Sequence, residues 1–179
     1  MNTTPLESPT PLLGFAAWSG TGKTTLLKEL IPLLIKRELR VAAIKHTHHD
    51  FDIDHPGKDS YELRKAGADQ VLVASAKRWA LVTENQTATD EADLQQLLSH
   101  LDHDGIDLIL IEGFKHEPIP RIELHRSAVG KPLLYPDDPR IISVAMPSSE
   151  AINPSITRLD LDNIEQIADF IETTIIRKN

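Results

Sequence analysis

The residues with the plainest chemistry are Ala17-Trp18-Ser19-Gly20-Thr21-Gly22-Lys23-Thr24, a short run that carries two glycines and ends in Lys-Thr. Gly20 and Gly22 permit backbone conformations in which successive N–H groups converge on an anion. Lys23 places a positive charge near the outer phosphates of a nucleotide, and Thr24 offers a hydroxyl to Mg²⁺. The run fits the phosphate-loop pattern with one departure. Ala17 stands where the first glycine usually sits, a small residue that a tight strand-to-loop turn accepts.

A nucleoside triphosphate with Mg²⁺ also needs a carboxylate at the end of a neighbouring strand. Two acids bracket the apolar run Leu108–Ile111, namely Asp107 before it and Glu112 after it. Five residues of parallel strand cover about 16 Å, so these acids lie at opposite edges of a sheet. Ligands bind at the carboxyl edge of open α/β sheets. Glu112 is therefore the metal candidate that shares an edge with Lys23.

A third cluster follows the apolar segment Arg40–Ile44: Lys45, His46, His48, His49, Asp50, Asp52, Asp54 and His55. An extended His-x-His can present both imidazoles to one ion, and Asp50 or Asp52 can hold a water of a Mg²⁺ shell. His46, His48 and Asp52 are thus site candidates. Arg78 is a candidate for contact with a base or substrate, while its neighbour Trp79 is expected in the core. No Asn/Thr-Lys-x-Asp segment follows a late strand, so these residues leave guanine and adenine equally open.

The elements that must position these groups alternate. Leu12–Ala17, Arg40–Ile44 and Leu108–Ile111 read as buried strands, and Gln70–Ser75 and Ile141–Met146 as further strands. Arg78–Thr83 either pairs with it or carries the sheet onward. Apolar residues from Leu26 to Ile35 recur with helical spacing, with Pro32 expected to kink that helix or end its first segment. Further helices are expected at Ser60–Ala68, Glu91–Leu101 and Ile164–Ile176. Such alternation predicts an α/β fold with a mainly parallel sheet flanked by helices. Residues 1–10 read as a flexible lead-in to a single domain over 1–179. The proline-rich segment Lys115–Arg140, with a short strand at Arg121–Leu124, reads as an insertion, either a flap or an association surface.

Composition narrows the chemistry. The chain has 179 residues, a formal net charge of -8 and no cysteine. Thiolate metal sites, disulfides and a cysteine nucleophile are therefore ruled out. The acidic balance disfavours a nucleic-acid partner. No apolar run approaches the length of a membrane span, which predicts a cytoplasmic protein without a membrane association.

Taken together, AAWSGTGKTTLL, IKHTHHDFDIDHPGKDSYELRKAGA, ASAKRWAL and LILIEGFKHE resemble the family of molybdopterin-guanine dinucleotide biosynthesis accessory protein B, MobB. The likeness runs from about Leu12 to Glu117, and its histidine loop and EGFK segment are more specific than the phosphate loop alone. It implies a P-loop NTPase fold that binds GTP with Mg²⁺ and has weak GTPase activity. It further implies an adapter role beside the guanylyltransferase that converts molybdopterin cofactor to its guanine dinucleotide form, with molybdopterin and molybdoenzyme apoproteins as further partners. A homodimer formed through a β-rich extension is implied too, which Lys115–Arg140 would supply. By motif, Ser19, Gly20, Thr21, Gly22, Lys23, Thr24 and Thr25 would bind phosphates, with Thr24, Glu112 and an Asp such as Asp52 serving Mg²⁺. Two other activities fit the residues: a small-molecule kinase using the same loop, and a metal-delivery GTPase using the histidines.

Overall fold

The computed structural model describes residues 6–47, 51–85, 91–150 and 156–177. His48, His49 and Asp50 lie outside them. The chain divides into two compact units, one built from Met1–His46 with Asp93–Asn179 and the other from Thr47–Ala92.

In the larger unit β1 (Leu12–Ala17) runs into α1 (Lys23–Lys36), and β2 (Val41–Lys45) follows. After the second unit the chain returns through α3 (Leu94–Ser99), β5 (Leu108–Glu112), β6 (Arg121–Leu124), β7 (Ile141–Met146), β8 (Thr157–Asp160) and α4 (Ile164–Ile171). The six strands form one sheet in the order β2-β5-β1-β6-β7-β8, with every pairing parallel. Because β1 lies inside the sheet, the loop after it emerges at the middle of the carboxyl edge, where a ligand is shielded from both ends.

Alternation sorts the side chains. Leu13 and Phe15 of β1, Leu108 and Leu110 of β5, and Ile122 and Leu124 of β6 join one core cluster with Leu26, Leu30 and Leu34 of α1 and Ile167 and Ile171 of α4. The i, i+4 spacing of the three α1 leucines turns one stripe of that helix to the sheet. Pro32 does not break α1, which runs unbroken through it; Pro32 itself is exposed, on the side away from the core. The closing helix also differs from a uniform α-helix, since Glu172–Ile176 widens to a π-type turn.

Three expectations are corrected, and one strand is added that the sequence did not announce. Val41–Lys45 is an edge strand, not a buried one, and Ala43 and Lys45 are exposed. Its alanines are too small to distinguish half burial from full burial by sequence. Arg121–Leu124 does not belong to a flap: all four residues are buried and the strand pairs with β1 and β7. Prolines concentrate in the loops on either side of it, and that concealed a central strand. The short β8, Thr-Arg-Leu-Asp, has no apolar run to announce it, yet it closes the sheet beside β7. Leu6–Thr10 are tied down where a loose lead-in was expected, because Glu7 exchanges two hydrogen bonds with the Gln95 side chain and the Thr10 hydroxyl meets His103 Nδ1 at 2.9 Å.

The smaller unit comprises α2 (Asp59–Lys65) and a two-stranded antiparallel hairpin of β3 (Gln70–Ala74) and β4 (Trp79–Thr83). The two strands pair with each other and do not extend the main sheet. Within it Arg64 gathers three carboxylates, Asp52 at 2.5 Å, Asp54 at 2.8 Å and Glu84 at 2.9 Å. The hydrogen bonds its guanidinium donates to Asp54 and Glu84 hold it firmly protonated against the cost of burial. Trp79, expected in the core, is 68% exposed and shares one hairpin face with the exposed Leu72 and Leu81. A two-stranded sheet has a second face with nothing to bury it, and Trp79 stands there.

Candidate functional site

The site begins where β1 ends. Trp18–Gly22 turns the chain into α1, with Gly20 at φ 83° and Gly22 at φ 101°. A Cβ at either glycine would meet nothing within 4 Å, so what these positions demand is backbone conformation and not space. Thr21 is buried, and both its N–H (3.3 Å) and its hydroxyl (2.8 Å) donate to the Trp18 carbonyl, which closes the loop upon itself. Gly22 caps α1 without any side-chain bond to the helix, and no acidic residue occupies the first turn. The first N–H groups of a fourteen-residue helix are therefore available to an anion, with the positive end of its dipole behind them. Ser19, Gly20, Thr24 and Thr25 are exposed around this opening.

The outer wall of the loop is fixed by Trp18. Its indole N–H donates to the Pro132 carbonyl at 2.8 Å, and the Lys131 ammonium sits 5.6 Å from the ring centroid. Pro132 is in turn anchored from below. Glu123 of β6, fully buried, accepts the N–H groups of Leu134 and Tyr135 at 2.8 and 2.9 Å. Burial raises the pKa of that carboxyl above the usual carboxylate range, although both N–H bonds pull the other way. Neither Trp18 nor Glu123 was among the site residues expected from the sequence. Arg-Ile-Glu-Leu alternates charged and apolar residues as a half-exposed strand does, so the sequence carried no signal that Glu123 is buried.

Glu112 lies where the strand argument requires. β5 pairs with β1 so that Glu112 stands opposite Phe15, and with β2 so that it stands opposite Lys45. Its carboxylate reaches the Lys23 ammonium at 3.2 Å on one oxygen and the Lys45 ammonium at 3.9 Å on the other. Asp107 is at the far edge, accepting the Arg40 N–H at 2.8 Å, and takes no part here.

The turn after Glu112 is unusual. Gly113 and Phe114 both have positive φ, 89° and 49°, and Phe114 is buried. The His46 N–H donates to the Glu112 carbonyl at 2.8 Å, and the His46 ring lies 4.7 Å from that of Phe114. A Cβ on Gly113 would come within 2.7 Å of His46 Cβ, so glycine is needed here for approach as well as for φ. From beneath, Arg121 spends its guanidinium on the carbonyls of Gly113, Phe114 and Glu117. It is 2% exposed, and burial lowers its pKa from the usual arginine value. A buried cation whose hydrogen bonds among the described residues go to carbonyls is a costly device, and here it holds the turn that aims Glu112.

Of the residues expected from the sequence, Ser19 to Thr25, Glu112 and His46 come together at one edge of the large sheet, and Lys45 joins them. Asp52 and Arg78 belong to the smaller unit. There Asp52 is engaged by Arg64, and the Arg78 carbonyl accepts from Ser75 at the hairpin tip. His48 lies outside the described residues.

These groups suit a metal-bound nucleotide. Converging helix N–H groups and the Lys23 ammonium can accept the phosphates, and the exposed Thr24 hydroxyl and the Glu112 carboxylate supply the hard oxygen donors that Mg²⁺ takes. Among the described residues no group of three or more His, Cys, Asp or Glu is arranged to hold a metal by itself. Such a cation would therefore share its shell with phosphate oxygens.

Comparison with known proteins agrees with this geometry. Residues 12–147 match the family model described as "MobB: Molybdopterin guanine dinucleotide synthesis protein B". The chain is 54% identical over 170 residues to the molybdopterin-guanine dinucleotide biosynthesis adapter protein of Escherichia coli (strain K12), covering 94% of this chain and 95% of that protein. It is 45% identical over 167 residues to the adapter protein of the same description from Haemophilus influenzae, covering 93% and 90%. A crystal structure of molybdopterin-guanine biosynthesis protein B superposes with a TM-score of 0.71 at 27% identity, over 90% of this chain and 97% of that one. With the phosphate loop, the EGFK turn and the parallel sheet all accounted for, the chain belongs to the MobB family of molybdopterin-guanine dinucleotide synthesis proteins.

Proposed function

We propose that this chain binds GTP with Mg²⁺ at the carboxyl edge of the large sheet. We further propose that it acts as an adapter to the guanylyltransferase that makes the guanine dinucleotide form of molybdopterin cofactor. The observation that carries the reading is the meeting of Glu112 and Lys23 at 3.2 Å beside a helix N-terminus with free N–H groups. The name shared by its E. coli and H. influenzae relatives supports the adapter role.

In this reading Ser19 to Thr25 cradle the phosphates, Lys23 neutralises their charge, and Thr24 and Glu112 face the metal. Bound Mg²⁺ would supply Lewis-acid polarisation of the outer phosphates. His46 shapes the Glu112 turn. His48, Asp52 and Arg78 are assigned to contacts with nucleotide, metal or partner. Hydrolysis is slow in this reading, because no arginine of the loop or of α1 stands ready to stabilise the transition state.

The protein works as a homodimer in the cytoplasm, with molybdopterin and molybdoenzyme apoproteins as further contacts. The exposed apolar face of Leu72, Leu81 and Trp79 supports dimerisation through the hairpin better than through Lys115–Arg140, whose strand is spent inside the sheet. No helix among the described residues is long and apolar enough to cross a membrane.

The test is reconstitution. Purified guanylyltransferase, molybdopterin cofactor and GTP are combined with and without this protein, and dinucleotide formation is followed. Stimulation that disappears with Lys23→Ala supports the reading. Equal formation in all three reactions contradicts it.

A further inference from the structure

We infer that Lys45 is the cation that reads the terminal phosphate of a bound nucleoside triphosphate and so separates the triphosphate from the diphosphate. The inference rests on the Mg·GTP reading above and adds to it a residue that the phosphate-loop pattern does not contain.

Three strands set the geometry. β1, β5 and β2 are neighbours, and their register aligns Phe15 with Glu112 and Glu112 with Lys45. With strands about 4.8 Å apart, the Lys45 backbone lies roughly 10 Å from β1 along the carboxyl edge, a gap that its four-carbon stem narrows. Between the two cations stands one carboxylate. Lys23 takes one Glu112 oxygen at 3.2 Å and Lys45 the other at 3.9 Å.

The two lysines are not equivalent. Lys23 opens α1 and is 23% exposed, whereas Lys45 is 70% exposed at the end of an edge strand. Among the described residues Glu112 is the ion-pair partner of Lys45. An exposed pair at that distance adds little to stability, so stability does not explain why Lys45 stands there.

Direction follows from the phosphate cradle. The loop after β1 would hold the inner phosphates, and Thr24 and Glu112 would hold a divalent cation on their side of it. The terminal phosphate then points from β1 toward β5 and β2, and Lys45 is the next cation on that line. One carboxylate cannot balance a divalent cation and two ammoniums together. Were Glu112 to hold a cation, the Lys45 ammonium would be left to pair with phosphate instead. A diphosphate offers no group at that place.

Calorimetric titration with Mg²⁺ tests this, using GDP and a non-hydrolysable GTP analogue on wild type, Lys45→Met and Lys45→Arg. A lost charge-assisted contact predicts that Lys45→Met weakens the triphosphate analogue about tenfold and GDP less than twofold, with Lys45→Arg restoring most of the difference. Equal losses for both nucleotides, or no loss for either, would overturn the assignment while leaving the nucleotide site intact. Wild-type protein that binds neither nucleotide overturns the nucleotide reading itself, and this inference with it.

Discussion

Glu112 and Lys23 meet at 3.2 Å although one ends β5 and the other opens α1. Parallel pairing of β1 with β5 brings both to the same edge, and the turn through Trp18–Gly22 bends the lysine back over the sheet. Each side chain is 23% exposed, so the pair is reachable from solvent yet partly shielded. Such a pair is ready to be parted by a phosphate on one side and a cation on the other.

Replacing Lys23 by Ala removes the ammonium that faces the phosphates and leaves Glu112 with Lys45 alone. GTP affinity should fall by roughly tenfold to a hundredfold, the value of one charge-assisted contact in a partly shielded site. The melting temperature should move little, because a partly exposed ion pair contributes little to folding. Calorimetry alongside thermal unfolding separates the two effects.

Gly22→Ala probes conformation without crowding. A Cβ there has open space, but φ is 101°, which L-residues rarely adopt. The substitution should cost about 1–2 kcal/mol in urea unfolding and weaken nucleotide binding as the loop relaxes from its cradle shape. A Gly22→Ala protein with wild-type stability would show that the loop is not held in this conformation in solution.

Trp18→Phe removes the indole N–H that ties the phosphate loop to Pro132. The loss should be about 1 kcal/mol of stability, with the ring still available to Lys131. Proteolysis should cut the Gly130–Tyr135 loop faster in the variant, and an unchanged cleavage rate would argue against the tether.

Asp138 gives the acid limb a specific contributor. Desolvation works to raise its pKa, but the bidentate contacts of Arg140 at 2.7 and 2.9 Å outweigh it, so the folded carboxyl titrates below its ordinary 3.8. A folded-state pKa below the unfolded one contributes stability that is complete above the unfolded value and is lost as pH falls through the folded value. Asp138→Asn should therefore lower stability near neutral pH and flatten its dependence below about pH 4. Urea midpoints measured across that range for both proteins provide the check.

Much of the site was legible because its signals are local. Gly20, Gly22, Lys23 and Thr24 are consecutive or nearly so, and Glu112 follows an uninterrupted apolar run that marks both the strand and its end. The parallel α/β class followed from the same alternation. What stayed hidden depends on pairing between distant segments. Arg121–Leu124 is a central strand only because β1 and β7 accept it, and the surrounding prolines suggested a short strand in an insertion. Glu123 and Arg121 look like surface charges in sequence, yet each is buried and hydrogen-bonded to backbone groups of a neighbouring loop, Glu123 to the N–H groups of Leu134 and Tyr135 and Arg121 to the Phe114 carbonyl. Trp79 misled in the opposite sense, since aromatic character suggested a core position while the hairpin leaves one face open. His46 was picked for its imidazole, and the structure gives it two roles at the Glu112 turn: its N–H holds the Glu112 carbonyl and its ring packs on Phe114.

The central claim is that Glu112 and the phosphate loop together form a metal-dependent nucleotide site. The most direct measurement is GTP binding by wild type and Glu112→Gln, each titrated with and without Mg²⁺. Wild type should bind GTP more tightly when Mg²⁺ is present, and Glu112→Gln should lose most of that gain while keeping its metal-free affinity within a few fold. An equal Mg²⁺ gain in both proteins would contradict the account.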